Sequence, residues 1–185
     1  ETALDYLSRS LKIAEEIGDK YGMEHSIKML GRVYADKGDY ETALDYIARS
    51  LSIAEELGDK YGMGGSLSNI GVVHTIKGDY DNALDHWKKS LVIHKELGDK
   101  PMIGFDLGNI GIVHYYKDDY EKAEEYLEKS LDIQKEIGIK GLELQTTTHL
   151  YLSYKHLGKD YDENAIHRLI KEAENIELEV NYQLL

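Results

Sequence analysis

Cysteine is missing from all 185 residues. Disulfides, thiolate metal ligands and a cysteine nucleophile are excluded together, and a reducing compartment is compatible with the composition. No apolar run is long enough to cross a bilayer, which excludes a membrane-spanning helix in this segment. Basic residues are outnumbered, 22 Lys and Arg against 35 Asp and Glu, for a net charge of −13. Nucleic acid is thereby excluded as main ligand, since phosphate binding needs a basic footprint, whereas solubility and cationic partners are favoured. Proline occurs once, at Pro101, in the first turn of an expected helix, where a missing N–H costs little. There is no signal-like stretch and no initiator methionine, and Glu1 falls well inside a repeat, so the expectation is a piece of a longer array. A cytoplasmic location is expected, with targeting signals outside the segment left open.

What is present is a period of forty. Glu1 to Met23 and Glu41 to Met63 differ only at Leu7/Ile47, Ser8/Ala48, Lys12/Ser52 and Ile17/Leu57, and the unit returns as Asp81 to Tyr120 and more loosely from Glu121 to about Tyr161. A fixed period implies a stack in which each repeat buries its apolar face on its neighbours. Each unit holds two helical patterns. In the first, termed B, Ala43, Leu44, Ile47, Leu51, Ala54 and Leu57 recur at three- and four-residue spacing on one stripe. Asp39 is its expected N-cap, Gly58 its left-handed terminator and Asp59 the cap of the following helix. That following helix, termed A, carries Ile27, Leu30, Gly31 and Tyr34 on its stripe and closes at Lys37-Gly38. The expected order is B near 1 to 18, then A/B pairs starting near 22, 62, 102 and 141, about nine helices in all. The boundaries are a half repeat at 1–20, repeats at 21–60, 61–100 and 101–140, and a degenerate repeat or cap at 141–185. The period alone also allows HEAT-type helices or WD40 blades, but blades fail because nothing alternates with period two.

No catalytic constellation is found, and neither an enzyme nor a cofactor is expected. Gly62-Met63-Gly64-Gly65 lacks a preceding strand and a Walker lysine, so it reads as a helix start. His74 and His114 occupy the tyrosine position of the repeat and read as packing residues. His149 and His156 are seven apart without carboxylate or histidine company at three or four residues, so no metal site is assigned. The acids Glu15, Glu16, Glu55, Glu56, Glu124 and Glu125 fall on solvated faces of B helices, whereas the A helices carry few acids. The first B helix has no A helix before it, so Ala3, Leu4, Leu7 and Leu11 are expected to be less buried than their repeat equivalents, and this end could self-associate.

Leu30-Gly31-x-x-Tyr34 followed by Ala43 and Ser50 resembles the tetratricopeptide signature. Ile70-Gly71 with His74, Ala83, Trp87 and Ser90 repeats it, as do Ile110-Gly111 with His114, Ala123, Leu127 and Ser130. The family's proline after helix B is absent, and about six extra residues such as Ile53 to Gly58 lengthen that helix. With Asn-Ile-Gly at Asn69 to Gly71 and Asn109 to Gly111, this forty-residue variant is similar to the repeats of Pins/LGN-type adaptors, kinesin light chains and microbial signalling proteins. Past Leu157 the resemblance fades, and Tyr151 stands where glycine should be. The resemblance implies an all-α, right-handed superhelical solenoid of antiparallel helix pairs, a noncatalytic role in protein interaction, and A helices lining a concave groove. On that face stand His25, Lys28 and Arg32, then Asn69 and Val72, then Phe105, Asn109, Ile112 and Tyr116, then His149, Leu152 and Lys155. For Val72, Ile76 and Ile112, lining the groove and packing between adjacent A helices both stay open. Asn69 and Asn109 suit an extended peptide backbone, since an amide both donates and accepts. The cations Lys28, Arg32 and Lys155 suit a peptide with acidic ends and apolar side chains between, or else only neutralise neighbouring acids. The alternative role is a structural or regulatory, self-associating region of a larger signalling protein.

Overall fold

The computed structural model describes residues 2–138 and 140–162, together with Asn164, His167, Arg168 and Lys171. Among the described residues there are eight helices and no strand: α1 (Ala3–Ile17), α2 (Lys20–Asp36), α3 (Tyr40–Leu57), α4 (Lys60–Ile76), α5 (Tyr80–Leu97), α6 (Lys100–Tyr116), α7 (Tyr120–Ile137) and α8 (Lys140–His156). The B helices are α1, α3, α5 and α7, and the A helices are α2, α4, α6 and α8. A helices begin at Lys20, Lys60, Lys100 and Lys140, so the sequence period is a structural period. The ninth expected helix lies outside the described residues. No helix among the described residues is long and apolar enough to cross a membrane.

Local chemistry sets these boundaries. Thr2 and Asp5 form a capping box at α1, while Asp19 accepts from the Gly22 N–H at 3.0 Å and Asp39 from the Thr42 N–H at 3.2 Å. Each satisfies an orphan donor of a first turn. Asp59 holds the N-cap position without a side-chain bond. Gly58 ends α3 with φ 65°, and the Asp59 N–H reaches back to the Ala54 carbonyl at 2.9 Å, as a Schellman ending requires. The turn after α6 departs from its counterparts. Asp118 has φ 58° where Gly38, Gly78 and Gly158 stand in the other turns, a conformation an aspartate tolerates better than most side chains.

The chain forms two compact units, Glu1–Asp99 and Lys100–Leu185. In the first, α1 packs on α2, α2 on α3, α3 on α4 and α4 on α5, and α2 also touches α4. Its core holds Ala43, Ile47, Ile70 and Val73, with Tyr34 and Leu51 against them. In the second, α7 packs on both α6 and α8, and α6 touches α8. There the core is Ile112, Ala123, Leu127, Leu131 and Leu150, flanked by Tyr115 and Tyr154.

The tight A/B crossings explain the repeat's glycine. A Cβ added at Gly31 would lie 2.5 Å from Ile47 Cγ1, one at Gly71 2.7 Å from the Trp87 ring, and one at Gly111 2.6 Å from Leu127 Cγ. One turn further on, the tyrosine position stacks on the next B helix. Tyr34 meets Tyr46 at 5.4 Å, His74 meets His86 at 5.4 Å and His114 meets Tyr126 at 5.6 Å between centroids. His74 and His114 are therefore packing residues, as the repeat alignment predicts. The first B helix differs from the others: Ala3 is exposed where Ala43, Ala83 and Ala123 are fully buried, and Leu7 is half-buried where Ile47, Trp87 and Leu127 are fully buried. Leu4 and Leu11 are half-buried, as are Leu44 and Leu51 in α3.

Candidate functional site

In the first unit the A-helix face is built by α2 and α4. His25 and Arg32 are exposed on α2, Asn69 and Val72 are half-buried on α4, and Ile76 is exposed at its end. Lys28 is not a loose cation. Its Nζ donates to Glu24 Oε1 at 2.9 Å, with the two side chains only 15% and 5% exposed. The same oxygen accepts from Ser50 Oγ at 2.8 Å, and Ser50 Oγ lies 3.0 Å from Ser66 Oγ. A buried carboxylate is tolerable because it is paired and hydrogen-bonded. Gly65 on α4 lies beside this pair, for a Cβ there would come to 3.8 Å of Lys28 Nζ.

In the second unit α6 and α8 supply the corresponding face. Phe105 and Asn109 are half-buried, Tyr116 is 49% exposed, His149 and Leu152 are half-buried and Lys155 is exposed. Ile112, 6% exposed, belongs to the core cluster of this unit, so of its two readings the packing one describes its position. Asn109 Nδ2 donates to the Phe105 carbonyl at 2.9 Å, which turns its side chain along its own helix and leaves its Oδ1 and second N–H for other partners.

The two histidines of α8 are brought together by aromatic rings rather than by ligating groups. His149 meets the Tyr115 ring at 5.7 Å and Tyr116 at 6.2 Å, and His156 stacks on Tyr120 at 4.2 Å and meets Tyr115 at 5.9 Å. Tyr120 in turn donates to Asp118 Oδ1 at 2.7 Å. That bond to a carboxylate, with burial second, pushes the Tyr120 phenol up to about 12. Tyr154, beside this cluster, donates to Glu128 at 2.8 Å, and burial followed by that bond pushes its phenol up as well. Sequence reasoning did not connect Tyr115 and Tyr120 to the A face. The signal was there in Asp118, which replaces the turn glycine and carries the carboxylate that holds Tyr120. Among the described residues no group of three or more His, Cys, Asp or Glu is arranged to hold a metal ion.

Sequence reasoning also passed over the inner ends of the B helices. At one repeat position stand Ala54, His94 and Gln134, and facing them at another stand Glu24, Gly64 and Gly104. Where the A helix carries a long polar side chain, the B helix carries alanine; where the A helix is glycine, the B helix fills the space. A Cβ at Gly64 would lie 2.6 Å from His94 Nε2, and one at Gly104 would lie 3.6 Å from Gln134 Cγ.

The tetratricopeptide repeat model matches residues 1–56 and 63–136. No curated protein matches the chain. Among solved structures, the chain is similar to aspartyl phosphate phosphatase F from Bacillus subtilis, at 23% identity and a TM-score of 0.85 over 96% of this chain and 46% of that one. It is similar to a Rap protein complexed with Competence and Sporulation Factor, at 18% identity and a TM-score of 0.83 over 97% of this chain and 49% of that one. A Podosopora anserina chain of nearly identical TPR-like repeats gives 14% identity and a TM-score of 0.66 over 96% of this chain and 87% of that one. The chain spans about half the length of the first two. At these identities the likeness shows the fold, an all-α arrangement of paired helices.

Proposed function

The chain belongs to the tetratricopeptide repeat family, and on that premise we propose that it is a noncatalytic interaction module whose A-helix faces bind a peptide or protein segment. The observation that carries this reading is the composition of those faces. Within an acidic chain they present His25, Arg32 and Lys155 together with half-buried amides and exposed or half-exposed rings, Asn69, Asn109, Phe105 and Tyr116. Such a mixture of apolar surface and donors suits a peptide. The complex of a Rap protein with Competence and Sporulation Factor supports the reading by analogy of fold. On each unit the bound segment carries an acidic group beside apolar side chains. Arg32 serves that group in the first unit and Lys155 in the second, while Lys28, committed to Glu24, serves the face indirectly by keeping that carboxylate neutralised.

The test is a titration of a purified partner, first recovered by affinity capture, at low and high salt. Arg32→Ala is expected to weaken binding severalfold at low salt and little at high salt, because screening removes the contribution of an exposed cation. Asn69→Ala/Asn109→Ala is expected to weaken it at both. Lys28→Ala is expected to lower stability by about 1–3 kcal/mol by leaving a buried charge unpaired, which makes Arg32 the cleaner probe. Unchanged binding in both the Arg32 variant and the asparagine pair would move the site off the A face.

A second reading, self-association of a region within a larger signalling protein, is favoured by α1. Tyr6, Ile13 and Ile17 are 59%, 57% and 71% exposed, and with Ser10 and Ala14 they line a cavity of about 390 Å³. Sedimentation over a wide concentration range separates the readings. A mass that rises with concentration and returns to monomer in Ile13→Glu supports association through α1, and a strict monomer removes it.

A further inference from the structure

The first unit holds one helix face in two versions, covered on α3 and open on α1. On α3 the covering helix is α2. Lys20 Nζ donates to Glu56 Oε2 at 3.0 Å, Glu24 Oε1 accepts from Ser50 Oγ at 2.8 Å, Gly31 admits Ile47, and Tyr34 stacks on Tyr46. The four receiving groups recur in α1 in the same register as Glu16, Ser10, Leu7 and Tyr6, with leucine for isoleucine as the one change. There they are open. Ile17 is 71% exposed where Leu57 is half-buried, and Ser10 is exposed where Ser50 is buried. The cavity along α1 is bordered by Tyr6, Ser10 and Ala14, the counterparts of Tyr46, Ser50 and Ala54.

Ala14 narrows what can fill this face. At its repeat position His94 packs against Gly64 and Gln134 against Gly104, whereas Ala54 stands opposite Glu24, whose side chain is 5% exposed. Alanine at 14 therefore calls for a long polar side chain on the covering helix, not glycine. Helix α8 of a second copy does not meet the pattern, because Leu144 and Tyr151 stand at the positions of Glu24 and Gly31. A tyrosine cannot sit where a Cβ alone would come to 2.5 Å of the opposing side chain. Helices α4 and α6 carry Gly64 and Gly104 where the glutamate is needed.

We propose that this face of α1 docks an amphipathic helix of a partner protein that carries a lysine, a glutamate four residues later, a glycine seven beyond it and an aromatic ring three further. The lysine pairs with Glu16, the glutamate accepts from Ser10, the glycine passes over Leu7 and the ring stacks on Tyr6. A second lysine one turn after the glutamate keeps it neutralised, as Lys28 does for Glu24. Covering Tyr6 and Leu7 supplies the affinity, and the polar pairs set the register. The inference is independent of the A-face reading and competes with self-association for α1.

The probe is an end-blocked peptide with the sequence of Asp19 to Lys37, the chain's own helix of this pattern, titrated into the 15N-labelled whole chain. Saturable shifts are expected at the Tyr6, Ser10 and Glu16 amides, while Tyr46 and Ser50, already covered by α2, stay unmoved. Because the peptide is net positive and the chain acidic, a scrambled peptide of equal composition sets the background. In the peptide, Gly31→Leu is expected to weaken binding about tenfold or more. Lys20→Glu is expected to weaken it about twofold at low salt, with recovery in the Glu16→Lys chain. Equal binding of the scrambled peptide, no effect of Gly31→Leu, or shifts at Tyr46 and Ser50 would overturn the docking site. A second arm removes the cost of folding a free peptide into a helix. A copy of Asp19 to Tyr40 fused ahead of Glu1 is expected to protect Tyr6 and raise the urea midpoint, and failure of both arms overturns the fit. If the fusion protects Tyr6 while the peptide does not bind, the face takes this helix only within one chain and partner docking is overturned. A dimer through α1 that the peptide does not dissociate overturns it too, in favour of self-association.

Discussion

Ala3 to Ile17 and Ala43 to Leu57 are almost the same peptide, yet α3 has α2 on one side and α4 on the other, whereas among the described residues α1 packs on α2 alone. Tyr6 is 59% exposed while Tyr46 is half-buried and stacked on Tyr34. Ser10 is exposed and reaches Ser26 at 3.0 Å, while Ser50 is fully buried and reaches both Glu24 and Ser66. The lesson is that an amphipathic sequence makes a helix and offers a face, but the energy of that face comes from what covers it. A residue's contribution in a repeat array belongs to its interface rather than to its consensus letter.

The comparison is broken or sharpened by paired substitutions. The largest contrast is expected between Ile47→Ala and Leu7→Ala. Emptying the fully buried Ile47 site should cost about 3 kcal/mol, while the half-buried Leu7 should cost about 1 kcal/mol or less, read from urea midpoints at constant slope. Equal losses would mean that α1 is covered in solution as α3 is. Next comes Gly31→Ala, a contact that only α3 makes. Its Cβ would meet Ile47 Cγ1 at 2.5 Å, and overpacking of this kind costs about 1–3 kcal/mol. Combining it with Ile47→Ala should recover part of that loss, and strict additivity would show that the two do not touch. Smaller still is the serine pair. Ser50→Ala leaves buried partners unmatched and should cost about 1–2 kcal/mol, against a few tenths, roughly, for Ser10→Ala. The smallest contrast is in the acids of the last turn. Glu56 accepts from Lys20 at 3.0 Å, with both side chains more than half exposed, and Glu16 stands 3.9 Å from Lys12. Glu56→Gln should lower stability by about 0.5 kcal/mol or less, vanishing at high salt, and Glu16→Gln should do nothing measurable.

Much of the candidate site is legible in the sequence. The stripe on the A helices could be read from spacing, and His25, Arg32, Tyr116 and Lys155 are exposed where the pattern put them. Lys28 and Ile112 show the limit. Spacing says which way a side chain leaves its helix; it cannot say that Glu24 is buried one turn earlier to take the ammonium, or that α8 closes over Ile112. Gln134 was illegible for the same reason, since the space it fills opposite Gly104 exists only once its surroundings are assembled.

By itself the sequence determined the helices, their forty-residue period and the glycine contacts between A and B, because capping, amphipathic spacing and the absence of a Cβ act within a turn or two of chain. The tertiary structure alone decided which copies of each consensus residue are buried, which cation is committed to a carboxylate, and where a cavity opens along α1. Those outcomes depend on which neighbouring helices cover each side chain, where packing and desolvation, rather than local conformation, set the free energy.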